Sequence, residues 1–420
     1  MALIETIPDG SILTEEKIRG IIETQTPPSL YEGKRVLVLT PDGTRTCPLP
    51  TMVRVLREVI GARAARLDFM VALGTHPIIT DEEILKLYGI DAAGRKEPFG
   101  QSSFFCHRWD EPSTFQRIGE LTEEDVATIS GGLLRERVPI DINKKIFDYD
   151  LILILGPVFP HEVVGFSGGA KYLFPGISGG EFLHFFHWLG ALITCRKIIG
   201  RKETPVRRVI HRALEQIDLP IHCLAMVVDP EARLCGLFAG DVREAWSAAA
   251  DLSAVIHIVE KKRPFRIVLG RAPEMYDEIW TAGKVVYKLE QVVAPGGTLI
   301  IFAPHIREIS TTWGDQIEKI GYHVRDYFLA QPEMFCTVPL GVLAHSTHVC
   351  VTGCYENGVE TPDIHVVLAT AIPEEKCRRI GLGWMDPAKV RIDDYRDREE
   401  EGVLFVDHAG EILYRLAGGG

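Results

Sequence analysis

Arg35-Val36-Leu37-Val38-Leu39-Thr40 is a run of alternating valine and leucine between two polar ends. A run this apolar reads as a strand covered on both faces, because a half-solvated strand would carry a polar residue at every second position. The next segments fix the fold class. The turn Pro41-Asp42-Gly43-Thr44-Arg45 leads into an amphipathic helix with Met52, Val53, Leu56, Val59 and Ile60 on one face, and residues 67–73 read as a second strand. Thr80-Asp81-Glu82-Glu83 is a capping box that opens another helix. Residues 151–156, Leu-Ile-Leu-Ile-Leu-Gly, repeat the buried-strand pattern between Asp150 and Pro157. This alternation predicts an α/β fold with largely parallel sheets and flanking helices.

At 420 residues the chain exceeds what one hydrophobic core usually serves. The charged, proline-ended segment Glu260-Lys261-Lys262-Arg263-Pro264 reads as a hinge, which gives an N-terminal domain over 1–262 and a C-terminal α/β domain over 263–420. Before the hinge, residues 243–253 read as helix and 254–259 as strand. After it come a strand at 265–270, a helix at 284–293 stopped by Pro295-Gly296-Gly297, and a strand at 298–303. Residues 348–352, 364–371 and 403–406 read as further strands.

Composition excludes several classes. Forty-six basic against 58 acidic side chains, with no basic run beyond Lys261-Lys262-Arg263, leave no face for non-specific nucleic-acid binding. Residues 1–16 lack a signal-peptide pattern, and the most apolar stretch, 182–195, is too short to span a bilayer. Nine scattered cysteines without a Cys-x-x-Cys pair argue against a disulfide scaffold or zinc ribbon and fit a reducing compartment. The expectation is a cytoplasmic protein that binds neither nucleic acid nor membrane.

Ligands of parallel sheets bind beyond the carboxyl ends of the strands. Four segments occupy such positions. Pro41 to Arg45 offers backbone amides, a hydroxyl and a guanidinium to an anion, although Pro-Asp-Gly is also good turn chemistry. Gly74-Thr75-His76 places an acid/base-competent imidazole at a strand end; a lone histidine with no chemical role fits as well. Pro160-His161-Glu162-Val163-Val164-Gly165-Phe166-Ser167-Gly168-Gly169-Ala170-Lys171 combines glycines, a serine and a lysine as a phosphate or cofactor loop does, yet lacks the Gly-Lys-Ser/Thr of a Walker loop. Finally, residues 182–190 read as a buried helix with His184 and His187 on one face; satisfied core histidines and a metal site both remain open.

Together these segments resemble the lactate racemase family that uses the nickel-pincer nucleotide. The resemblance rests on Asp42-Gly43-Thr44-Arg45, Gly74-Thr75-His76, the run from His161 to Lys171, Pro175-Gly176 and His187, and spans residues 35–303. In the second half, Lys284 and Pro295-Gly296-Gly297 resemble the family's other anion-binding lysine region. The resemblance implies that Lys171 tethers the cofactor (a nickel-bearing pyridinium-3-thioamide-5-thiocarboxylic acid mononucleotide), that His187 ligates nickel, and that His76 and His161 are acid/base groups. It implies that Arg45 and Lys284 hold the substrate carboxylate, and that Asp42, Thr44, Ser167, Gly168 and Gly169 line the cofactor. The expected active site lies in the interdomain cleft. The partners implied are a small 2-hydroxy acid and the enzymes that make the cofactor.

That chemistry matches the residue types. Removing hydrogen from carbon 2 as a proton would place negative charge beside a carboxylate, whereas removal as hydride, with a base taking the hydroxyl proton, gives a flat 2-keto acid. Return of hydride to the other face inverts the centre, which requires one base per enantiomer and a cation on the carboxylate. Sulfur, carbon and one imidazole in a plane suit nickel, so one protein histidine suffices. The chain departs from the family at Pro77, where an arginine is expected, at Thr46-Cys47 for Pro-Thr, at Trp280-Thr281 for Tyr-Gln, and by an added stretch at 122–137. These departures point to a larger or more polar acid than lactate: a sugar acid, an aryl acid or a dicarboxylic acid. Two alternatives stand beside this reading. An NAD-dependent 2-hydroxy-acid dehydrogenase would need a Gly-x-Gly-x-x-Gly after a strand, which is missing. A non-catalytic nickel or nucleotide carrier would need neither histidine pair nor carboxylate clamp.

Overall fold

In the computed structural model, Val36, Leu37, Val38 and Leu39 are completely buried, so the strand β2 (Arg35–Thr40) is covered on both faces as its composition requires. Each such side chain contributes roughly 1.5–3 kcal/mol. The structure describes residues 12–418 in full and the backbone of residues 4–6. The chain divides into two compact units that are interleaved in sequence. The first comprises Met1–Phe159, Ser167–Leu183 and Arg207–Ile256; the second comprises Pro160–Phe166, His184–Val206 and His257–Gly420.

The first unit is built on β1 (Ile4–Thr6), β2, β3 (Arg66–Val71), β4 (Phe104–Cys106), β5 (Leu151–Pro157), β6 (Ile221–Val228) and β7 (Leu234–Gly240), in the order β1-β7-β6-β5-β2-β3-β4. Strands β6, β5, β2, β3 and β4 are parallel; β7 and β1 extend the edge antiparallel. The helix α1 (Leu49–Val59) starts behind Pro48 with Pro50 in its first turn, where a missing N–H costs nothing. Its Met52, Val53, Val55 and Leu56 are fully buried in the core with the β2 side chains. The capping box at Thr80 is formed with Glu83 and opens α2 (Asp81–Leu87). The stretch at 122–137 lies within a hairpin. Thr122 and Asp125 form a second capping box on a helix at Glu123–Ser130, set between the antiparallel strands Phe115–Leu121 and Val138–Asn143.

Two longer helices are α3 (Gly180–Ile193) and α4 (Val242–His257). The strand expected at 254–259 is a correction: α4 continues to His257, and only Ile258–Lys261 is extended. The second unit holds a wholly parallel sheet of β8 (Phe265–Arg271), β9 (Val293–Ala303), β10 (His365–Thr370), β11 (Gly383–Trp384) and β12 (Val403–Val406), in the order β11-β10-β9-β8-β12. The helix expected at 284–293 is α5 (Lys284–Leu289) and one 3-10 turn, Glu290–Val292. Pro295-Gly296-Gly297 does not stop that helix; it lies inside β9, beside the register shift between Phe265 and Ile267. The strand expected at 348–352 is likewise wrong. Its first half belongs to α6 (Leu340–Cys350), a helix buried at every position from Gly341 to Cys350, which therefore shows no apolar stripe in its sequence.

Among the described residues no helix is long and apolar enough to cross a membrane. No two cysteines are joined by a disulfide.

Candidate active site

A doubly wound sheet binds ligands where its strand order reverses. In the first unit that reversal falls between β2 and β5, whose register pairs Leu39 with Ile154. Asp42 and Pro157 thus stand level, each three residues beyond that pair.

Asp42 is buried at 8% exposure and fully engaged. Its Oδ1 accepts the Thr44 backbone N–H at 3.0 Å and the Thr44 hydroxyl at 2.7 Å, while Oδ2 meets His76 Nδ1. Burial pushes this carboxyl up. The charge and hydrogen bond of His76 outweigh that, with help from Arg45 and Thr44, and hold it well below the usual carboxylate range. An ionised carboxylate only accepts, so His76 carries a proton on Nδ1, which leaves Nε2 as the atom that would exchange a second one. The backbone of His76 is fixed too: its N–H donates to Leu73 O at 2.9 Å, and its carbonyl accepts from Trp109 Nε1 at 2.8 Å.

The glycine loop comes to the same place. Gly74 N–H donates to Gly176 O at 2.9 Å, tying the His76 turn to the segment after Lys171. Tyr172 is buried over Gly156, where a Cβ would come within 2.0 Å of the phenol oxygen. Burial raises this phenol well above its ordinary value; Cys47 and Asp42 add to the rise and Arg45 opposes it, which places all three near the ring. Gly168 and Gly169 have φ of +80° and +59°, and a Cβ on either would strike Val158 at 2.7 Å or Trp246 at 2.8 Å. Trp246 Nε1 donates to Ser167 O at 2.8 Å; its ring carries the buried Arg207 guanidinium 4.0 Å from the centroid, and Arg207 donates to Gly168 O at 3.4 Å. Ser167 Oγ accepts the Phe159 N–H at 2.9 Å, so this serine braces the loop. Lys171 is half-buried in the turn that follows. The first unit therefore brings together Asp42, Thr44, Arg45 and His76, with Ser167, Gly168, Gly169 and Lys171 on a loop shaped by Trp246 and Arg207.

The second unit holds the remaining expected residues. His161 is buried in a two-residue pairing, Pro160–His161 with Gly165–Phe166. Its Nδ1 accepts the Val163 N–H at 3.2 Å. Glu162 Oε2 lies 3.4 Å from the same Nδ1. His184 and His187 are half-buried on a helix α3 that is otherwise almost wholly buried. His184 Nδ1 accepts from Gly341 N at 3.3 Å, and His187 is close enough to act electrostatically on His345. Lys284 is buried with its Nζ 4.6 Å from the Tyr276 ring centroid. Among the described residues no three His, Cys, Asp or Glu side chains gather as a metal cluster.

Sequence reading missed Tyr172, Trp246, Arg207 and His345. Gly156 inside a strand of large residues is the one local sign of a close approach there; the others support the site from distant sequence.

The comparisons agree with this architecture. The family described as the lactate racemase N-terminal domain matches residues 5–198. A lactate racemase from Lactiplantibacillus plantarum is 28% identical over 284 residues, covering 65% of this chain and 61% of that protein. A second, from Thermoanaerobacterium thermosaccharolyticum, is 25% identical over 298 residues, covering 69% of this chain and 65% of its own length. The aligned stretches thus span under two thirds of those relatives. A crystal structure of a protein from Thermotoga maritima has a TM-score of 0.89 at 34% identity, covering 96% of this chain and 98% of that one. The lactate racemase apoprotein from T. thermosaccharolyticum shares the fold, with a TM-score of 0.71 at 20% identity over 98% of this chain and 97% of that one. Residues 5–198 thus match the lactate racemase N-terminal domain family, and the chain is similar in sequence to two lactate racemases.

Proposed function

We propose that this chain is an isomerase, a racemase or epimerase that inverts carbon 2 of a small 2-hydroxy acid through a 2-keto acid, using a nickel-pincer nucleotide tethered to Lys171. The observation that carries this reading is that both expected acid/base histidines are held by Nδ1: Asp42 meets Nδ1 of His76, and the Val163 N–H donates to Nδ1 of His161. Inversion needs one imidazole that takes the hydroxyl proton while neutral and a second, as imidazolium, that returns one, the two exchanging states between the enantiomers.

The residues fit the cofactor by their chemistry. Gly168 and Gly169 take positive φ and pack against Val158 and Trp246, a bend of the kind a glycine loop around a phosphate uses. Lys171 follows directly as the tether, and His187 offers one imidazole from a buried helix, enough for a metal whose other ligands come with the nucleotide. When bound, this group supplies a hydride acceptor that is regenerated in each turnover. The chain does the rest. Arg45 and Lys284 grip the carboxylate, His76 and His161 exchange the hydroxyl proton at Nε2, and Asp42 orients His76 and stabilises its cationic form. The partners on this reading are the 2-hydroxy acid and the cofactor-making enzymes.

Co-expression with those enzymes tests it. The intact mass should gain an adduct that Lys171→Ala abolishes. His187→Ala should keep the adduct and lose the nickel. Chiral chromatography should show isomer exchange in which deuterium at carbon 2 of the substrate is retained. Exchange that persists without Lys171, or label entering carbon 2 from heavy water, overturns the proposal.

A further inference from the structure

The second unit carries an aromatic cluster for which the reaction so far has no use. Trp280 lies tilted against His345 with centroids 4.1 Å apart, and Trp313 tilts against Trp280 at 6.3 Å. His184 meets Trp313 edge-on at 6.1 Å. Both indoles are half-buried, each keeping surface exposed within the unit.

The cluster lies beside two residues given roles above. His184 and His187 are three apart on α3 and share a face, and His187 acts electrostatically on His345 beneath Trp280. On the other side, Trp280 and Lys284 are four residues apart along a helical path. Ile279–Ala282 runs into α5 through Gly283, whose φ of −51° and ψ of −24° are helical, so the two side chains also share a face. The indoles thus stand on the helix faces that carry the imidazole that would hold the metal and the ammonium that would hold the carboxylate. A group placed there is the substituent on carbon 2.

We infer that Trp280 and Trp313 form the specificity wall for that substituent, and that the substrate is a 2-hydroxy acid with an aromatic side chain, of which 3-phenyllactate is the simplest probe. This inference rests on the roles proposed for His187 and Lys284. Indole faces attract another ring in offset or edge-on geometry. A second carboxylate would need a second cation, and the cluster contributes none beyond Lys284. A polyol chain would need a partner for each hydroxyl. The nitrogens of His345 are both engaged, by Tyr287 at 3.1 Å and Tyr322 at 3.2 Å, and His184 Nδ1 is taken by Gly341. Hydroxyls stripped of water without partners are expensive.

Two measurements decide it. In calorimetry on the apoprotein, 3-phenyllactate should bind at least tenfold more tightly than lactate, malate or gluconate. In the cofactor-loaded enzyme its kcat/KM should exceed that of each by the same factor or more. Trp280→Ala should reduce the phenyllactate-to-lactate ratio at least tenfold in both measurements, and Trp280→Phe should restore most of it, which a purely structural role for the indole would not do. Racemisation of lactate, malate or gluconate as well as or better than phenyllactate overturns this inference and leaves the proposed function standing. If the loaded protein racemises none of them, the proposed function falls; the calorimetry still decides this inference, since equal binding of all four acids refutes it.

Discussion

Replacing Asp42 with asparagine separates shape from charge at the base. The amide keeps the volume, and its oxygen can still accept both hydrogen bonds from Thr44. The carboxylate oxygen facing His76 becomes an NH2, which only donates. His76 can then pair only by moving its proton from Nδ1 to Nε2, the atom that must be bare to take the hydroxyl proton. The losses are a charge-assisted hydrogen bond at a buried site, about 1.5–3 kcal/mol, and general-base catalysis, on the order of 10²–10⁴ in rate or roughly 3–5.5 kcal/mol. These overlap, because the hydrogen bond matters through the base it orients, so kcat/KM should fall about a thousandfold. For a racemase the equilibrium constant is unity, so steady-state kcat/KM must drop by the same factor in both directions however lopsided the site is. Single-turnover mixing with one enantiomer at a time removes that symmetry. Keto acid trapped by hydrazine after rapid quenching should form slowly from the enantiomer whose hydroxyl faces His76, and at nearly the wild-type rate from the other. Equal slowing of both enantiomers, or a fall of less than about tenfold, would refute the assignment of His76 as a base oriented by Asp42. Stability provides a second readout. The Asp42 carboxyl is held below its ordinary value of 3.8, so its contribution is fully present above that pH and is lost as pH falls through and beneath it. The variant's acid denaturation profile should lack that part of the slope.

Two further predictions test the glycine loop and a buried carboxyl of the second unit. Gly169→Ala forces a side chain into left-handed backbone at φ +59° and against Trp246 at 2.8 Å, so strain and overpacking together should cost about 2–5 kcal/mol in denaturant unfolding; a loss below about 1 kcal/mol would mean that the loop is not held as described. Glu290 is buried with Oε1 lacking a partner, and burial, only partly opposed by Arg196 and Cys195, pushes its carboxyl from 4.5 up to about 7. The folded state binds that proton more tightly than the unfolded one, so its stability contribution is present below pH 4.5 and is lost as pH rises through about 7, a change of about 3 kcal/mol. Glu290→Gln should therefore be more stable than the parent at pH 8 and nearly equal to it at pH 4.5; the same pH slope in both proteins would refute it.

What the sequence made legible follows from how far each interaction reaches along the chain. Residues 35–40 announce a buried strand because burial on both faces leaves a continuous apolar run, whereas α6 is buried on every side and so shows no stripe; its last turn, His348-Val349-Cys350, looked like a strand. The same limit applies at the site. Asp42, Thr44 and Arg45 declare an anion-friendly loop locally, but the partner of Asp42 stands 34 residues away, so its task of orienting a base is visible only in space. Gly168 and Gly169 show the contrast within one dipeptide. The atom that forbids a side chain at Gly168 belongs to Val158, on the same strand-to-loop passage, whereas the one that forbids it at Gly169 belongs to Trp246, on α4. Trp246 in turn holds Ser167 by its indole N–H and stacks on Arg207. A local motif can therefore specify what the loop offers a ligand, but only the distant residues specify the backbone angles at which it is offered. Position at the switch point and rigidity behind it are thus separate requirements, met by different parts of the chain.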